Sequence, residues 1–288
     1  MQLPELKMDG RSGCELVVER LNDKTQIRKF SNSVMYNNRL VKQAEKQNAF
    51  FHNSRSSIFT TAQVFDINNS ETELAWFTMP YLFAEKYSNY FDRITFDQLK
   101  YIVRNLISYF DANFKVAQVA LVEENILLEK LSDVKTNVIK NSNIEDGLFD
   151  EVFAYLRNNI PEEELPLGPC HGDFTFSNIL FGDHEIYLLD FLDSFIESPL
   201  IDIVKLRQDT CYKWSIMLES SMPTYKSNKL IQIFNYIDKE IAQYCDEVLH
   251  LNTWYTYLQA FNLIRIVPYL TKSNEIYFIK NALNKLLQ

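Results

Sequence analysis

The spacing of apolar residues changes near residue 83 from a strand-like to a helical pattern. Residues 5–30 contain three short apolar runs separated by turn residues, which predicts three strands joined by two turns. Residues 73–82 predict a further strand that runs into a proline. Beyond residue 83, apolar residues recur mainly at helical spacing. The pattern therefore predicts a small β-rich beginning and a larger helical remainder.

One helix is predicted between these strands, over residues 38–51. The segment has helix-forming composition, and Leu40, Val41, Ala44 and Phe51 form an apolar stripe along it. We expect this stripe to pack against the strands.

The C-terminal part is predicted to be helical apart from one hairpin. Thr95 is a candidate N-cap for the first of these helices. The predicted segments are helices over 95–115, 122–140 and 147–158, a hairpin over 178–181 and 186–192, and four helical patterns across 199–288.

Composition and charge limit the class of protein. Hydrophobic residues make up 47% of the 288 residues and charged residues 23%, which is typical of a globular protein. No apolar run approaches the roughly 18–20 residues that span a bilayer, and we expect no signal segment and no membrane partner. A net charge of −9 argues against nucleic-acid binding, which requires a basic surface.

Cysteine usage predicts a reduced, cytoplasmic protein. Cys14, Cys170, Cys211 and Cys245 are far apart and form no CxxC pair. The chain has only four histidines as well, so a zinc site is not expected.

The strongest chemical signal is the run His-Gly-Asp-Phe-Thr-Phe-Ser-Asn at residues 171–178. Asn178 follows Asp173 by five residues, and a second acid, Asp190, lies twelve residues further on. Phosphoryl transfer from ATP uses this set of groups: one carboxylate orients an acceptor hydroxyl, while an amide oxygen and a second carboxylate hold magnesium. Turn chemistry alone is the alternative for an isolated Asp and Asn.

The surroundings of Asp190 favour the metal-binding interpretation. The residue lies inside the apolar run 186–192, which suits a buried strand. A lone ionised carboxylate is costly there unless it is paired or binds a cation.

The His-Gly-Asp form of this loop resembles the aminoglycoside phosphotransferase and choline kinase superfamily. The resemblance extends from about Met8 to Asp202, and Asp202 matches an acid that these proteins place at a helix start behind the catalytic loop. It implies an α+β, two-lobed protein-kinase-like fold. The small N-terminal antiparallel sheet and its helix would cover 1–82, and a mainly helical lobe would cover 83–288.

The resemblance implies a bound ATP whose phosphates lie under a glycine-containing turn. Gly10, Ser12 and Gly13 form this turn between two predicted strands. An ordinary hairpin turn is the alternative. Gly172 adds a third glycine in a nucleotide-site motif, in a chain that has only six.

The third predicted strand offers the phosphate-binding lysine. Alternation places Ile27 and Lys29 on one face. The resemblance then implies that Ile27 lines the adenine pocket and that Lys29 reaches the phosphates. Arg28 takes this role if the register is shifted by one residue. Glu45, the only acid between Asp23 and Asp66, is the candidate partner for the lysine, with a solvated helix glutamate as the alternative.

The strand over 73–82 resembles the one that joins the two lobes of a kinase. This implies that Met79 lies behind the adenine and that the Pro80 carbonyl and the Leu82 amide face its edge. Proline is tolerated there because only its carbonyl is needed.

The remaining site residues follow from the same resemblance. Asp173 would be the catalytic base, and Asn178 and Asp190 would hold Mg²⁺. His171 is expected to support the loop, and Asp193 is a candidate for metal or acceptor contact. Asp202 should brace the backbone of the catalytic loop.

The predicted function is therefore ATP- and Mg²⁺-dependent phosphorylation of a small-molecule hydroxyl. Sugars, amino-alcohols, choline or ethanolamine, and aminoglycosides are candidate acceptors, although Leu192 departs from the Asp-Phe/Tyr-Glu of choline kinases. A non-catalytic nucleotide-binding protein with the same fold is the alternative. A protein acceptor is disfavoured because few residues separate Asp190 from Pro199. The sequence gives no indication of oligomeric state.

Overall fold

The chain forms two structural units that each draw on two separate stretches of sequence. The computed structural model describes residues 8–9, 14–21, 24–54, 56–219 and 221–287. The first unit comprises Met1–Ile94 with His171–Ser194, and the second comprises Thr95–Cys170 with Phe195–Gln288. The boundary predicted between residues 82 and 83 stays a prediction.

Short strands and two helices make up the described part of the first unit. In chain order these are β1 (Met8–Asp9), β2 (Glu15–Leu21), β3 (Lys24–Phe30), α1 (Asn37–Asn53), β4 (Phe59–Thr61), β5 (Ile67–Asn68), β6 (Trp76–Pro80), β7 (Glu85–Lys86), α2 (Tyr87–Arg93), β10 (Ile179–Phe181) and β11 (Ile186–Leu188). Single 3₁₀ turns lie at Val34–Tyr36 and Phe176–Asn178.

These strands form two sheets. The first is antiparallel in the order β1-β2-β3-β6-β5, and its register sets Lys29 between Leu16 and Phe77. The second has the order β4-β11-β10-β7, with β4 parallel to β11 and the other pairs antiparallel. The three strands predicted over residues 5–30 are thus present as β1, β2 and β3.

Helix α1 packs against the strands through a mixed apolar and polar face. Its buried residues are Asn37, Leu40, Gln43, Ala44 and Gln47. The predicted stripe is therefore only partly correct, because Phe51 is exposed and two glutamines take positions on the buried face. Each glutamine has a hydrogen-bond partner through its side-chain nitrogen, as described below.

Helices dominate the second unit. Its elements are α3 (Phe96–Phe114), β8 (Gln118–Ala120), α4 (Glu124–Lys140), α5 (Asp150–Asn158), β9 (Leu165–Leu167), α6 (Pro199–Thr210), α7 (Trp214–Leu218), α8 (Thr224–Tyr244), a π-helical turn (Cys245–Leu249), α9 (Asn252–Ile264), a 3₁₀ turn (Val267–Tyr269) and α10 (Ser273–Leu286). The stretch predicted to hold four helical patterns holds five described α-helices, because α7 is a short helix of five residues.

The second unit is built around α6, which is buried along nearly its whole length. It contacts α3, α8 and α9, and the aromatic residues Trp254, Tyr257 and Phe261 of α9 lie in the same core. The predicted cap of α3 is present: Thr95 and Gln98 form a capping box. The predicted α+β fold, with a small antiparallel N-terminal sheet and a mostly helical larger part, is confirmed.

Candidate active site

Buried aromatic side chains anchor the candidate catalytic loop, residues 171–178, within the first unit. Phe174 and Phe176 are fully buried, and their rings pack against Phe59 and Phe91 respectively, with centroid distances of 6.0 and 5.2 Å. Asp173, between the buried His171–Gly172 pair and Phe174, remains partly exposed. Burying the apolar residues of the loop fixes the backbone that carries the polar ones.

Asp173 and Asn178 are in direct contact. The Asn178 side-chain nitrogen donates to Asp173 Oδ2 at 2.8 Å and to the Asp173 backbone carbonyl at 2.9 Å. The amide oxygen of Asn178 accepts no hydrogen bond within the described residues. The five-residue spacing thus yields an oriented carboxylate and an amide oxygen free to accept a ligand.

His171 supports the loop as a neutral ring. Its Nε2 donates to the Leu189 carbonyl at 2.7 Å, and its Nδ1 accepts from the Asp173 backbone N–H at 3.2 Å. This pattern requires the tautomer protonated at Nε2. Burial lowers the pKa of His171 to about 4, although the Asp173 carboxylate acts in the opposite direction. The expected supporting role agrees with this geometry.

Gly172 is required by both conformation and space. Its φ is +87°, and a Cβ there would lie 2.5 Å from the Leu192 carbonyl oxygen and 2.6 Å from Ser194 Oγ. Only glycine combines this backbone conformation with such a close approach. The catalytic loop is therefore packed directly against the segment that follows Asp190.

Lys29 and Asp190 form an ion pair across the first unit. Lys29 Nζ lies 2.7 Å from Asp190 Oδ1, with the lysine side chain 3% exposed and the aspartate 48% exposed. Burial acts to lower the pKa of Lys29, but the charge of Asp190, the hydrogen bond to it and the nearby Cys14 and Tyr36 together outweigh burial, and the pKa is raised. Asp190 itself has φ +59°, an uncommon conformation that is often found at functional sites.

The strand register predicted for β3 is confirmed by the neighbours of Lys29 and Arg28. Arg28 pairs with Glu19 at 2.9 Å and lies over the Trp76 ring, with 4.4 Å between its Cζ and the ring centroid. The two cations therefore project to opposite faces of the sheet, and Lys29 is the one beside Asp190.

Glu45 does not take the position that the sequence analysis expected. It is exposed, and the described residues provide it with no ion pair, whereas Lys29 binds Asp190. Gln43 and Gln47 occupy the buried face instead: Gln43 Nε2 donates to the Tyr36 hydroxyl at 3.2 Å and Gln47 Nε2 to the Ala62 carbonyl at 2.8 Å. The physical reason is helical phase, because at about 100° per residue Glu45 lies roughly 140° from the centre of the face that holds the buried residues of α1.

The predicted adenine-pocket residues lie close together in the first sheet. Ile27 and Met79 are direct cross-strand partners, and both belong to the same hydrophobic cluster, as does Leu82. The Leu82 N–H makes no hydrogen bond to any described residue, and Pro80 ends β6 just before it. This leaves a backbone donor beside an apolar surface.

The other expected residues are placed as follows. Gly10, Ser12 and Gly13 lie outside the described residues. Asp193 pairs with Lys42 at 3.0 Å. Asp202 is fully buried in the second unit, where the Tyr109 hydroxyl donates to it at 3.4 Å; its bracing of the catalytic loop stays a prediction.

Two lysines of α1 near this site were missed by the sequence analysis. Lys42 and Lys46 contact Asp193 and the Leu192 carbonyl, respectively. Their four-residue spacing was a usable signal, because it places both on one helix face.

The donors at the site suit magnesium in character and number. Among the described residues no group of three or more acidic, histidine or cysteine side chains converges to hold a metal by itself. Asp190 and the Asn178 amide oxygen are the available donors, and Mg²⁺ commonly takes one or two protein ligands together with phosphates and waters. The Lys29 ammonium beside Asp190 shows that a cation is accepted there.

Comparison with known proteins identifies the family. The model of the phosphotransferase enzyme family matches residues 34–220, more than half of the chain. The chain belongs to this family. The enzyme class predicted from the sequence, a phosphotransferase, is thereby confirmed.

Solved structures similar to this phosphotransferase support the same fold. A thermostable mutant of aminoglycoside phosphotransferase APH(4)-Ia is 10% identical, with a TM-score of 0.60 over 99% of this chain and 94% of that one. A glucosamine kinase bound to glucosamine, ADP and inorganic phosphate is 12% identical, with a TM-score of 0.57 over 95% and 76%. The Plasmodium vivax ethanolamine kinase is 12% identical, with a TM-score of 0.55 over 99% and 82%. These similarities confirm the predicted protein-kinase-like fold of the phosphotransferase.

Two further results are negative. A search of curated protein sequences finds no match. Within the described residues, the phosphotransferase has no helix with the length and apolar character needed to cross a membrane.

Proposed function

We propose that this phosphotransferase moves the γ-phosphoryl group of ATP to a hydroxyl of a small molecule in a Mg²⁺-dependent reaction. The observation that carries the proposal is the pairing of Asp173 with Asn178 and of Lys29 with Asp190 within one structural unit. In the first pair Asp173 suits the acceptor hydroxyl and Asn178 the metal. In the second pair Lys29 suits the phosphates and Asp190 the metal. Together they supply the groups that phosphoryl transfer uses.

Asp173 is proposed as the base. Its carboxylate is oriented by the Asn178 amide and is partly exposed, so an acceptor hydroxyl can reach it. It would take the hydroxyl proton as the oxygen attacks phosphorus. His171 holds the loop while remaining neutral and so leaves the proton to Asp173.

Lys29, Asn178 and Asp190 are proposed to bind the phosphates and the metal. Mg²⁺, when bound, would neutralise negative charge on the transferring group. Lys29 supplies a buried ammonium beside Asp190. Asp190 and the free amide oxygen of Asn178 supply ligands for the metal. Gly10, Ser12 and Gly13, which precede β2 in the sequence, are proposed to cover the phosphates.

The adenine is proposed to lie against β3 and the end of β6. Ile27 and Met79 offer an apolar surface, while the Pro80 carbonyl and the unbonded Leu82 N–H offer an acceptor and a donor. Glu45 has no support for a nucleotide role in this structure.

The acceptor is proposed to be a small hydroxylated metabolite. Only residues 191–198 separate Asp190 from α6, which leaves almost no segment for docking a peptide. Proteins of similar fold include kinases named for aminoglycosides, glucosamine and ethanolamine. Sugars and amino-alcohols are thus the first classes to test, followed by choline and aminoglycosides.

The decisive experiment is an ATP-consumption screen against a panel of such compounds, with Asp173→Asn as the matched blank. Asp173→Asn should bind Mg-ATP like the wild type and transfer phosphate at least ~100-fold more slowly, the usual scale of general-base loss. Near-wild-type turnover in this variant would remove Asp173 from the mechanism. Binding of ATP by the wild type without consumption on any acceptor would instead support a non-catalytic nucleotide-binding protein.

A further inference from the structure

Helix α1 contacts three consecutive residues after Asp190 through one side chain per helical turn. The Phe50 and Phe191 rings are 5.1 Å apart, Lys46 Nζ donates to the Leu192 carbonyl at 2.7 Å, and Lys42 Nζ lies 3.0 Å from Asp193 Oδ2. Positions 42, 46 and 50 are four residues apart and share one face of the helix. Successive turns of the helix, taken from its C-terminal end, therefore contact successive residues of the segment.

The same segment is held on its other side by the catalytic loop. The Leu192 N–H donates to the His171 carbonyl at 2.9 Å, and the Leu192 carbonyl lies where a side chain on Gly172 would be. Leu192 is thus bonded through its N–H to the loop and through its carbonyl to Lys46. Asp190, two residues earlier, takes its direction from a backbone fixed at this point.

The three contacts of α1 differ in strength. Lys42 and Asp193 are 62% and 45% exposed, and exposed ion pairs contribute little. Phe191 is fully buried, and its contact with Phe50 is apolar packing, which constrains orientation less than a hydrogen bond does. Lys46 is half-buried and makes a charge-assisted hydrogen bond, which is directional and stronger than a neutral one.

We propose that Lys46 is a positioning residue that sets the backbone of residues 190–193 and thereby aims the Asp190 carboxylate at the metal. It links α1 to the nucleotide site in this chain, a link that Glu45 was expected to provide and does not. The proposal rests on the proposed function for the metal-binding role of Asp190. It concerns the loop geometry itself, which exists before any nucleotide binds.

The test compares Lys46→Met with the wild type in the full chain by two measurements. Without metal or nucleotide, amide hydrogen exchange of a peptide covering residues 189–195 should become about tenfold faster, because the Leu192 backbone loses one of its two anchors. With ATP present, the Mg²⁺ concentration that gives half-maximal thermal stabilisation should rise about tenfold or more. Lys46→Arg, which keeps a charged donor, should restore most of both.

Two lysine variants serve as controls. Lys140→Met makes the same change on an exposed position of α4 and should alter neither measurement. Lys42→Met removes only the exposed pair and should shift the Mg²⁺ midpoint less than fivefold. Should Lys46→Met fail to fold, Lys46→Ala, which also removes the donor to the Leu192 carbonyl, carries the same comparison.

Unchanged exchange and an unchanged Mg²⁺ midpoint in Lys46→Met would overturn the proposal. So would a lower melting temperature with no shift in the midpoint, since that is the result of a merely structural lysine. If Mg-ATP fails to stabilise even the wild type, the proposed function fails, while the metal-free exchange measurement still decides whether Lys46 positions the segment.

Discussion

Single residues in and beside the candidate catalytic loop determine its backbone shape and the protonation state of His171. Gly172 allows close approach to Leu192, His171 is kept neutral by burial, and Asp190 adopts a left-handed conformation beside them. Each of these features belongs to a single residue. The effect of a substitution on stability can therefore be predicted residue by residue.

Gly172→Ala should destabilise the protein more than Gly147→Ala. Both glycines have positive φ, but an added Cβ at Gly147 would meet only Asp150 Oδ2 at 3.5 Å, whereas at Gly172 it would overlap the Leu192 carbonyl. We expect about 1–2 kcal/mol for the backbone conformation at Gly147 and a further ~1–3 kcal/mol for crowding at Gly172. Urea unfolding of the two variants measures this difference, and equal losses would contradict the crowding argument.

His171 should make stability depend on pH below neutrality. Its pKa is about 4 in the folded protein, whereas an unfolded histidine titrates near 6.5, so the unfolded chain binds more protons between these values. Stability contributed by the neutral ring is thus fully present above about pH 6.5 and is lost as pH falls towards 4, a change of about 3 kcal/mol.

Urea unfolding between about pH 4.5 and pH 7.5 tests this contribution, with His171→Gln as the non-titrating variant. The variant should lose less stability than the wild type on acidification. Parallel pH profiles for the two proteins would show that burial of His171 does not set the dependence.

At the scale of single elements, the side-chain period of β3 separates two neighbouring cations. Lys29→Met should lower kcat/KM for ATP by at least about 100-fold, because it removes a preorganised charge at the proposed phosphate site. Arg28→Met, on the opposite face, should change kcat/KM less than about threefold, since Arg28 pairs with Glu19 and lies away from Asp190. Steady-state kinetics with an accepted acceptor measures both, and a larger loss in Arg28→Met would assign the phosphates to the other face.

Periodicity explains which elements could be predicted from the sequence. The strands β2 and β3 and the helices α1 and α3 have enough residues to show a period, and the Asp173–Asn178 spacing is local. The two-residue strands β5 and β7 are too short to show one. Glu45 is the only acid between Asp23 and Asp66, but this feature of composition carries no information on helical phase and so does not predict that Glu45 is exposed.

Long-range pairing lay beyond sequence reasoning for a different reason. Lys29 and Asp190 are 161 residues apart, and Thr61 donates through its hydroxyl to the Leu188 carbonyl across 127 residues. Such contacts depend on how sheets assemble, which no local pattern encodes. The parallel pairing of β4 with β11 is of the same kind.

At the scale of the whole molecule, the first unit is completed by His171–Ser194, which come after the entire first stretch of the second unit, Thr95–Cys170. The strands β10 and β11 are the two inner strands of the sheet β4-β11-β10-β7. Residues 1–94 alone supply only its outer strands. Neither unit is therefore encoded by one continuous stretch of the chain.

A fragment of residues 1–94 should consequently show no cooperative unfolding transition, whereas the same fragment joined by a flexible linker to residues 171–194 should show one. The reason is that buried Phe59 and Phe91 lose the aromatic partners Phe174 and Phe176 in the shorter fragment. Circular dichroism in urea distinguishes the two. Cooperative unfolding of residues 1–94 by themselves would show that the N-terminal sheet and α1 suffice.

The split sheet also has a consequence during synthesis. Thr61 leaves the ribosome 127 residues before Leu188, so at 5–20 residues per second β4 waits on the order of ten seconds for its partner. Throughout that interval the edges of β4 and β7 are available to other nascent chains. These strands span only three and two residues and so expose few backbone groups that could pair with another chain. Their shortness therefore limits mispairing until β10 and β11 have been synthesised.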